Sequence, residues 1–222
     1  NVLGSLHVFQ ACLDSGVERL VQTSTSEVYG TAQYVPMDEM HPLNPQSPYA
    51  ATKVGSDKLA ESFFRTYELP VVMVRPFNTY GPRQSPRAVI PTIIMQALKS
   101  RTVHLGSIDT RRDLTFVKDT ARGFVAASIA PKVEGETIQL GSQKEYGISE
   151  LVDAIGGILD RNLSVITDSR RRRPPASEVE RLFASNRKAA ERLGWKPEIS
   201  LRDGLERTVR WFQKRADQYK TD

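Results

Sequence analysis

The chain has one cysteine and three histidines in 222 residues. It has no long apolar run. With Cys12 alone, no disulfide framework can close within it, and nothing points to an oxidising compartment. Cys12 falls on the apolar side of a predicted helix and reads as a small core residue. His7, His41 and His104 are scattered, without partners at ligand spacing, so no metal site is expected. No stretch approaches the ~20 apolar residues of a membrane span, and no leader pattern opens the chain. A cytoplasmic location without a membrane partner is therefore expected. Internal repeats and low-complexity segments are lacking too. So is any Gly-x-x-Gly-x-x-Gly turn, the element that cradles a dinucleotide pyrophosphate at a helix N-terminus.

What is present reads as an ordinary globular chain, 39% hydrophobic and 26% charged, long enough for one large domain or two small ones. The net charge is +5, and much of it sits in Arg170-Arg171-Arg172-Arg173, ended by Pro174-Pro175. Nucleic-acid binding calls for basic residues spread along a face with stacking aromatics. One short cluster does not fit that, so no nucleic-acid partner is expected. A solvated loop and an anion clamp both fit it, since arginine offers phosphate a two-pronged donor fork.

Helix and strand patterns alternate, which predicts βαβ units in a parallel sheet. Helices are predicted over 2–15, 48–67, 88–99, 118–130, 149–159, 186–193 and 201–216. Strands are predicted over 19–23, 71–75, 102–105, 137–140 and 164–167. A long loop with three prolines spans 29–47. Ser149 is the expected cap of its helix, and Ser200 with Asp203 has capping-box spacing.

The most informative segment is Ser47-Pro48-Tyr49-Ala50-Ala51-Thr52-Lys53. Ser47 fits an N-cap and Pro48 the first helical position. Tyr49 and Lys53 then share one face, one turn apart. A neighbouring ammonium favours the phenolate, so Tyr49 is a candidate general base with Lys53 as its electrostatic partner. About 20 residues upstream, Thr23-Ser24-Thr25-Ser26-Glu27 follows a short buried strand, at the end that faces the ligand crevice in open α/β sheets.

This combination resembles the extended short-chain dehydrogenase/reductases that act on nucleotide sugars, and the resemblance covers essentially the whole chain. Arg75-Pro76-Phe77-Asn78-Thr79-Tyr80-Gly81-Pro82-Arg83 is similar to the family's segment beside the nicotinamide and the substrate diphosphate. Thr110 to Asp119 resembles its Arg-Asp-Phe-x-x-Val-x-Asp strand-to-helix segment, and Leu193-Gly194-Trp195-Lys196-Pro197 its C-terminal signature.

The resemblance implies an α/β fold: a partial Rossmann-like, doubly wound parallel sheet plus a smaller α/β C-terminal substrate lobe. The switch is expected near Pro82, giving 1–82 to an NAD-binding part, with a return segment at about 137–145, and 83–222 mainly to the sugar nucleotide. Without a Gly-rich turn, the sequence reads as a piece of a longer enzyme, lacking roughly 100 residues of a dinucleotide half, or as a relic that binds without catalysis. A truncated sheet would expose an edge strand.

The resemblance also assigns roles. Thr23, Ser24, Tyr49, Lys53 and Pro76 would face NAD. Thr25, Asn78, Arg83, Arg112 and Arg173 would bind the nucleotide-diphosphate sugar; Ser177, Glu178 and Arg181 are further candidates for the nucleotide. The competing reading of Asn78 is a turn asparagine, and that of Arg112 an ion-pair partner of Asp113 or Asp119. Thr25-Ser26-Glu27 matches sugar 4,6-dehydratases, in which Glu27 would take the C5 proton. Ser26 stands where many such enzymes carry an aspartic acid; Glu27 then serves the C6 hydroxyl as well, or an ordered water assists. The longer motifs look most like the legionaminic-acid-pathway dehydratases acting on nucleotide-linked N-acetylglucosamine. A UDP-glucuronate decarboxylase and a C4 epimerase are the competing enzymes. A homodimer built on the helices containing residues 2–15 and Tyr49 is implied.

Overall fold

In the computed structural model, which describes residues 1–171 and 174–218, the first sheet is parallel throughout. Strand β1 (Leu20–Thr23) pairs with β2 (Val71–Pro76), and β2 pairs with β6 (Thr137–Leu140), aligning Leu20 with Val71 and Met73 with Thr137. β1 lies at the edge of this sheet. Alternation along β2 sends successive side chains to opposite faces. Val71 and Met73 join Phe9, Ala60, Phe63 and Leu69 beneath helices α1 (Val2–Asp14) and α2 (Pro48–Tyr67). Val72 and Val74 join Ala127, Ile138, Leu140 and Trp195 beneath α4 (Val117–Ile129) and α6 (Arg187–Leu193). A sheet covered on both faces is the doubly wound arrangement.

The second assembly is mixed. β3 (Asn78–Tyr80) runs parallel to β5 (Arg111–Phe116), which also pairs antiparallel with β7 (Glu145–Gly147) and parallel with β9 (Arg181–Leu182). β4 (Thr102–Leu105) pairs with β8 (Ser164–Thr167). Ile90, Ile93, Ile94, Leu105, Phe116, Leu151, Ile155, Val209 and Phe212 form its core, drawn in part from α3 (Val89–Lys99), α5 (Ile148–Leu159) and α7 (Leu201–Gln213).

Three expectations change. Ser149 does not cap α5: the helix starts at Ile148, with Gly147 at the cap position and no side-chain cap bond, because β7 pairs with β5 up to Gly147 and passes directly into the helix. Tyr29, expected to open the long loop, instead ends a 3-10 turn over Ser26–Tyr29 whose N-cap, Thr25, accepts from Glu27 N. The last helix ends at Gln213 instead of 216. The two- and three-residue strands β3, β7 and β9 were not anticipated. Such short stretches carry no periodicity and exist through their partners. Asn78 opens β3 and is not a turn residue. Ser200 does cap α7, its hydroxyl oxygen accepting from Asp203 N at 3.1 Å.

Candidate active site

Helix α2 begins as its local chemistry requires. Ser47 Oγ accepts from Ala50 N at 3.1 Å and Pro48 takes the first position. Tyr49 therefore sits in the first turn, half exposed at 51%. One turn on, Lys53 Nζ donates to Thr23 O at the C-terminal end of β1. Partial burial lowers the Lys53 ammonium from its ordinary value, while Asp57 pulls it back up.

The chain leaving β1 turns sharply. Thr25 caps the 3-10 turn, and Gly30 closes it at φ +66°, where a Cβ would stand 2.2 Å from Asn44 O. This turn brings Glu27 to a cavity of about 630 Å³ that Thr23, Ser24, Thr25, Ser26, Tyr49, Pro76 and Asn78 also line. A smaller adjoining hollow touches Glu27, Ser47, Tyr49 and Ser177. Glu27 and Tyr49 thus meet at one opening beyond the C-terminal ends of a parallel sheet, where open α/β sheets bind ligands.

The cavity continues along the second assembly. Gln84 reaches it with its amide pinned to Thr79 O at 2.9 Å. Leu105 ends β4, Gly106 and Ser107 follow it, and Thr110, Arg112 and Leu114 come from β5 and its lead-in. Arg112 donates through Nη1 to Arg111 O and Glu180 O, and through Nη2 to Glu178 Oε1 at 3.3 Å. Its carboxylate partner is therefore Glu178, not Asp113 or Asp119. Glu178 lines the same cavity.

Of the expected ligand-binding arginines, Arg83 is absent from the cavity lining. Arg83 is exposed at φ +69°, and from that stretch Arg87 lines the cavity. Arg173 lies outside the described residues. Arg170, exposed, pairs with Asp168. Arg181 pairs with Glu145 through two bonds of 2.8 Å. Ser24 lines the cavity, but its hydroxyl donates inward to Asp57 Oδ2 at 2.7 Å. Ser26 is 2% exposed.

Behind the site runs a buried polar chain that reading the sequence missed. Asp57, fully buried, accepts from Arg75 Nε at 3.0 Å. Arg75 Nη1 donates to Tyr29 Oη at 3.0 Å, and Tyr29 donates to Gln139 Oε1 at 3.1 Å. Burial pushes the Tyr29 phenol up to about 12 despite the guanidinium beside it. The available signal was Asp57 four residues after Lys53, on the same helical face.

A family model described as GDP-mannose 4,6 dehydratase matches residues 1–208. A UDP-glucose 4-epimerase of Mycolicibacterium smegmatis is 34% identical over 97% of this chain and 69% of its own length. A dTDP-glucose 4,6-dehydratase of an Actinoplanes species is 34% identical over 96% of this chain and 66% of its own. Among solved structures, dTDP-glucose 4,6-dehydratase from Bacillus anthracis in complex with NAD superposes with TM-score 0.88 at 28% identity, covering 98% of this chain and 69% of that one. UDP-glucuronic acid 4-epimerase from Bacillus cereus, in complex with UDP-glucuronic acid and NAD, gives 0.89 at 27% over 96% and 67%. The chain spans about two thirds of the length of these relatives. No helix among the described residues is long and apolar enough to cross a membrane. With its parallel sheet, its Tyr49–Lys53 helix and these matches, the chain belongs to the GDP-mannose 4,6 dehydratase family, within the extended short-chain dehydrogenase/reductases that comprise nucleotide-sugar dehydratases and epimerases.

Proposed function

We propose that the protein takes part in NAD-dependent 4,6-dehydration of a nucleotide sugar, yielding a 4-keto-6-deoxy sugar. The observation that carries this reading is the shared opening of Glu27 and Tyr49, an acid and a phenol facing one sugar-sized space. The residues present fit the nicotinamide end of the cofactor. Lys53 has three donors, of which Thr23 O takes one, and Pro76 offers an apolar surface beside them. When bound, NAD supplies the redox chemistry, accepting a hydride from C4 and returning one at C6.

The chain's own residues move protons and hold geometry. Tyr49 accepts the proton of the sugar 4-hydroxyl, with Lys53 one turn on along the same helix. The hydroxyl oxygen of Thr25 already accepts from Glu27 N, so its hydrogen is available to the 4-oxygen as that becomes a ketone. The ketone acidifies C5, and Glu27 removes that proton. Ser26 is buried and no stronger an acid than water, so Glu27 also returns its proton to the departing C6 hydroxyl, and the proton taken up by Tyr49 is given back, through solvent, to C5. Asn78, Arg112 and Arg87 face the diphosphate end; phosphate fits an arginine fork.

We also assign 1–82 with the return strand β6 to the cofactor side and most of 83–222 to the substrate side. Leu3, Val8 and Tyr67, exposed on α1 and α2, support the homodimer that the resemblance implies. Nucleotide-linked N-acetylglucosamine or glucose is the substrate proposed from the resemblance, ahead of nucleotide-linked mannose and glucuronate.

The test is product mass with the full-length enzyme: loss of water supports dehydration, loss of carbon dioxide makes it a decarboxylase, and an unchanged mass with inverted C4 makes it an epimerase. Glu27→Gln should lower dehydration roughly 10²–10⁴-fold while leaving substrate binding intact. Normal turnover in that variant refutes the role of Glu27.

A further inference from the structure

The carboxylate of Asp57 is buried beside the site and serves no step above. Its Oδ2 is engaged by Ser24 Oγ at 2.7 Å and by Arg75 through both Nε and Nη2 at 3.0 Å, and its Oδ1 is buried with no hydrogen-bond partner among the described residues. A helix places residues four apart on one face, so Asp57 lies one turn behind Lys53. Ser24 directly follows Thr23, whose carbonyl accepts from Lys53. The carboxylate therefore grips both supports of the lysine: the strand end that receives its hydrogen bond, and the helix that carries it. We propose that Asp57 is a positioning residue for the Tyr49–Lys53 pair, fixing the end of β1 through Ser24 and holding a compensated negative charge one turn from the Lys53 ammonium.

The alternative is that Asp57 only neutralises Arg75 within the core. Two observations favour more than that. Asp57 acts on Lys53 by charge, raising its proton affinity against the effect of burial. Its second partner, Ser24, is a strand-end residue that also lines the cavity. A group serving Arg75 alone needs no bond to Ser24. The charges around Lys53 are Asp57 on its own helix and, behind Asp57, Arg75 from β2; Tyr29 from the 3-10 turn meets Arg75, and Glu27 lines the cavity with Tyr49.

This inference rests on reading Tyr49 and Lys53 as the proton-transfer pair, so it needs a readout independent of turnover. The Lys53 ammonium is titrated by NMR of the lysine-labelled protein, assigned with Lys53→Arg. Asp57→Asn keeps the shape and removes the charge, so the Lys53 titration should move to lower pH by at least half a pH unit. Ser24→Ala keeps the charge, so that titration should stay put while kcat of the full-length enzyme falls about tenfold and KM for the sugar nucleotide changes less than twofold. Asp57→Glu keeps the charge if Asp57→Asn does not fold, and should leave the titration within a fifth of a pH unit of wild type while lowering kcat. An unmoved Lys53 titration in a folded Asp57→Asn protein, or unchanged kcat in Ser24→Ala, overturns the proposal. A Tyr49→Phe enzyme with normal turnover would instead overturn the proposed base, leaving the Lys53 titration to decide the role of Asp57.

Discussion

The first assembly buries Asp57 and the second Asp113, both fully, and they hold these carboxylates in opposite ways. In the first, Asp57 faces a guanidinium: Arg75 reaches it at 3.0 Å and is itself 3% exposed. In the second, Asp113 on β5 is held by neutral donors. Ser142 N and Oγ reach it at 2.6 and 2.7 Å, and Gln143 N and Ala184 N at 3.1 Å. The first arrangement keeps a charge on α2, the helix that carries Tyr49 and Lys53. The second uses a carboxylate as a junction, tying β5 to the chain after β6 and to the chain after β9. Burial raises both acids from their ordinary value, and Asp113, lacking a cationic partner, is pushed up to about 6.

That difference can be broken most forcefully at Arg75. Arg75→Leu leaves Asp57 buried and unpaired, so urea unfolding should show a loss of about 3–5 kcal/mol. A loss under about 1 kcal/mol would mean that the two acids are held alike after all.

The next effect belongs to Asp113 and depends on pH. Its folded value, about 6, stands above the unfolded value of 3.8, so the folded state binds this proton more tightly. Its contribution is therefore present in full below about pH 4 and is lost as pH rises through 6, by an amount on the order of 3 kcal/mol. Asp113→Asn cannot titrate and should lack this slope. Parallel pH dependence of the two proteins between 4 and 7 would exclude the ionisation cost. The smallest effect sharpens the comparison at the surface of the first assembly. Ser47→Ala removes the cap beneath Tyr49 and should cost about 1 kcal/mol of stability, measured by thermal unfolding.

Much of the fold was legible because much of it is local. The apolar spacing of α2, its cap at Ser47 and its end at Tyr67 all lie within one stretch, and the strands at 102–105, 137–140 and 164–167 are short apolar runs between clear breakers. The strand β7 was not legible, since three residues have no period of their own and Gly147 looks like any turn glycine until Arg111 is placed opposite it. The same holds within the site. Tyr49, Lys53 and Glu27 were readable from spacing and from the resemblance. Arg112 was read from the resemblance as a substrate contact, with an ion pair to Asp113 or Asp119 as the competing reading; that Glu178, 66 residues away, is an acid it meets was not legible.

Sequence alone determined that a phenol and an ammonium share a helical face, that this helix starts at Ser47 and Pro48, and that an acid follows the preceding strand, because helix geometry and capping are settled within a few residues. Only the tertiary structure decided that Asp57 answers Arg75, that Ser24 turns inward to it, and that Arg87 faces the cavity where Arg83 does not. Those outcomes depend on desolvation and on donors brought together across the sheet, and neither exists until the chain has packed.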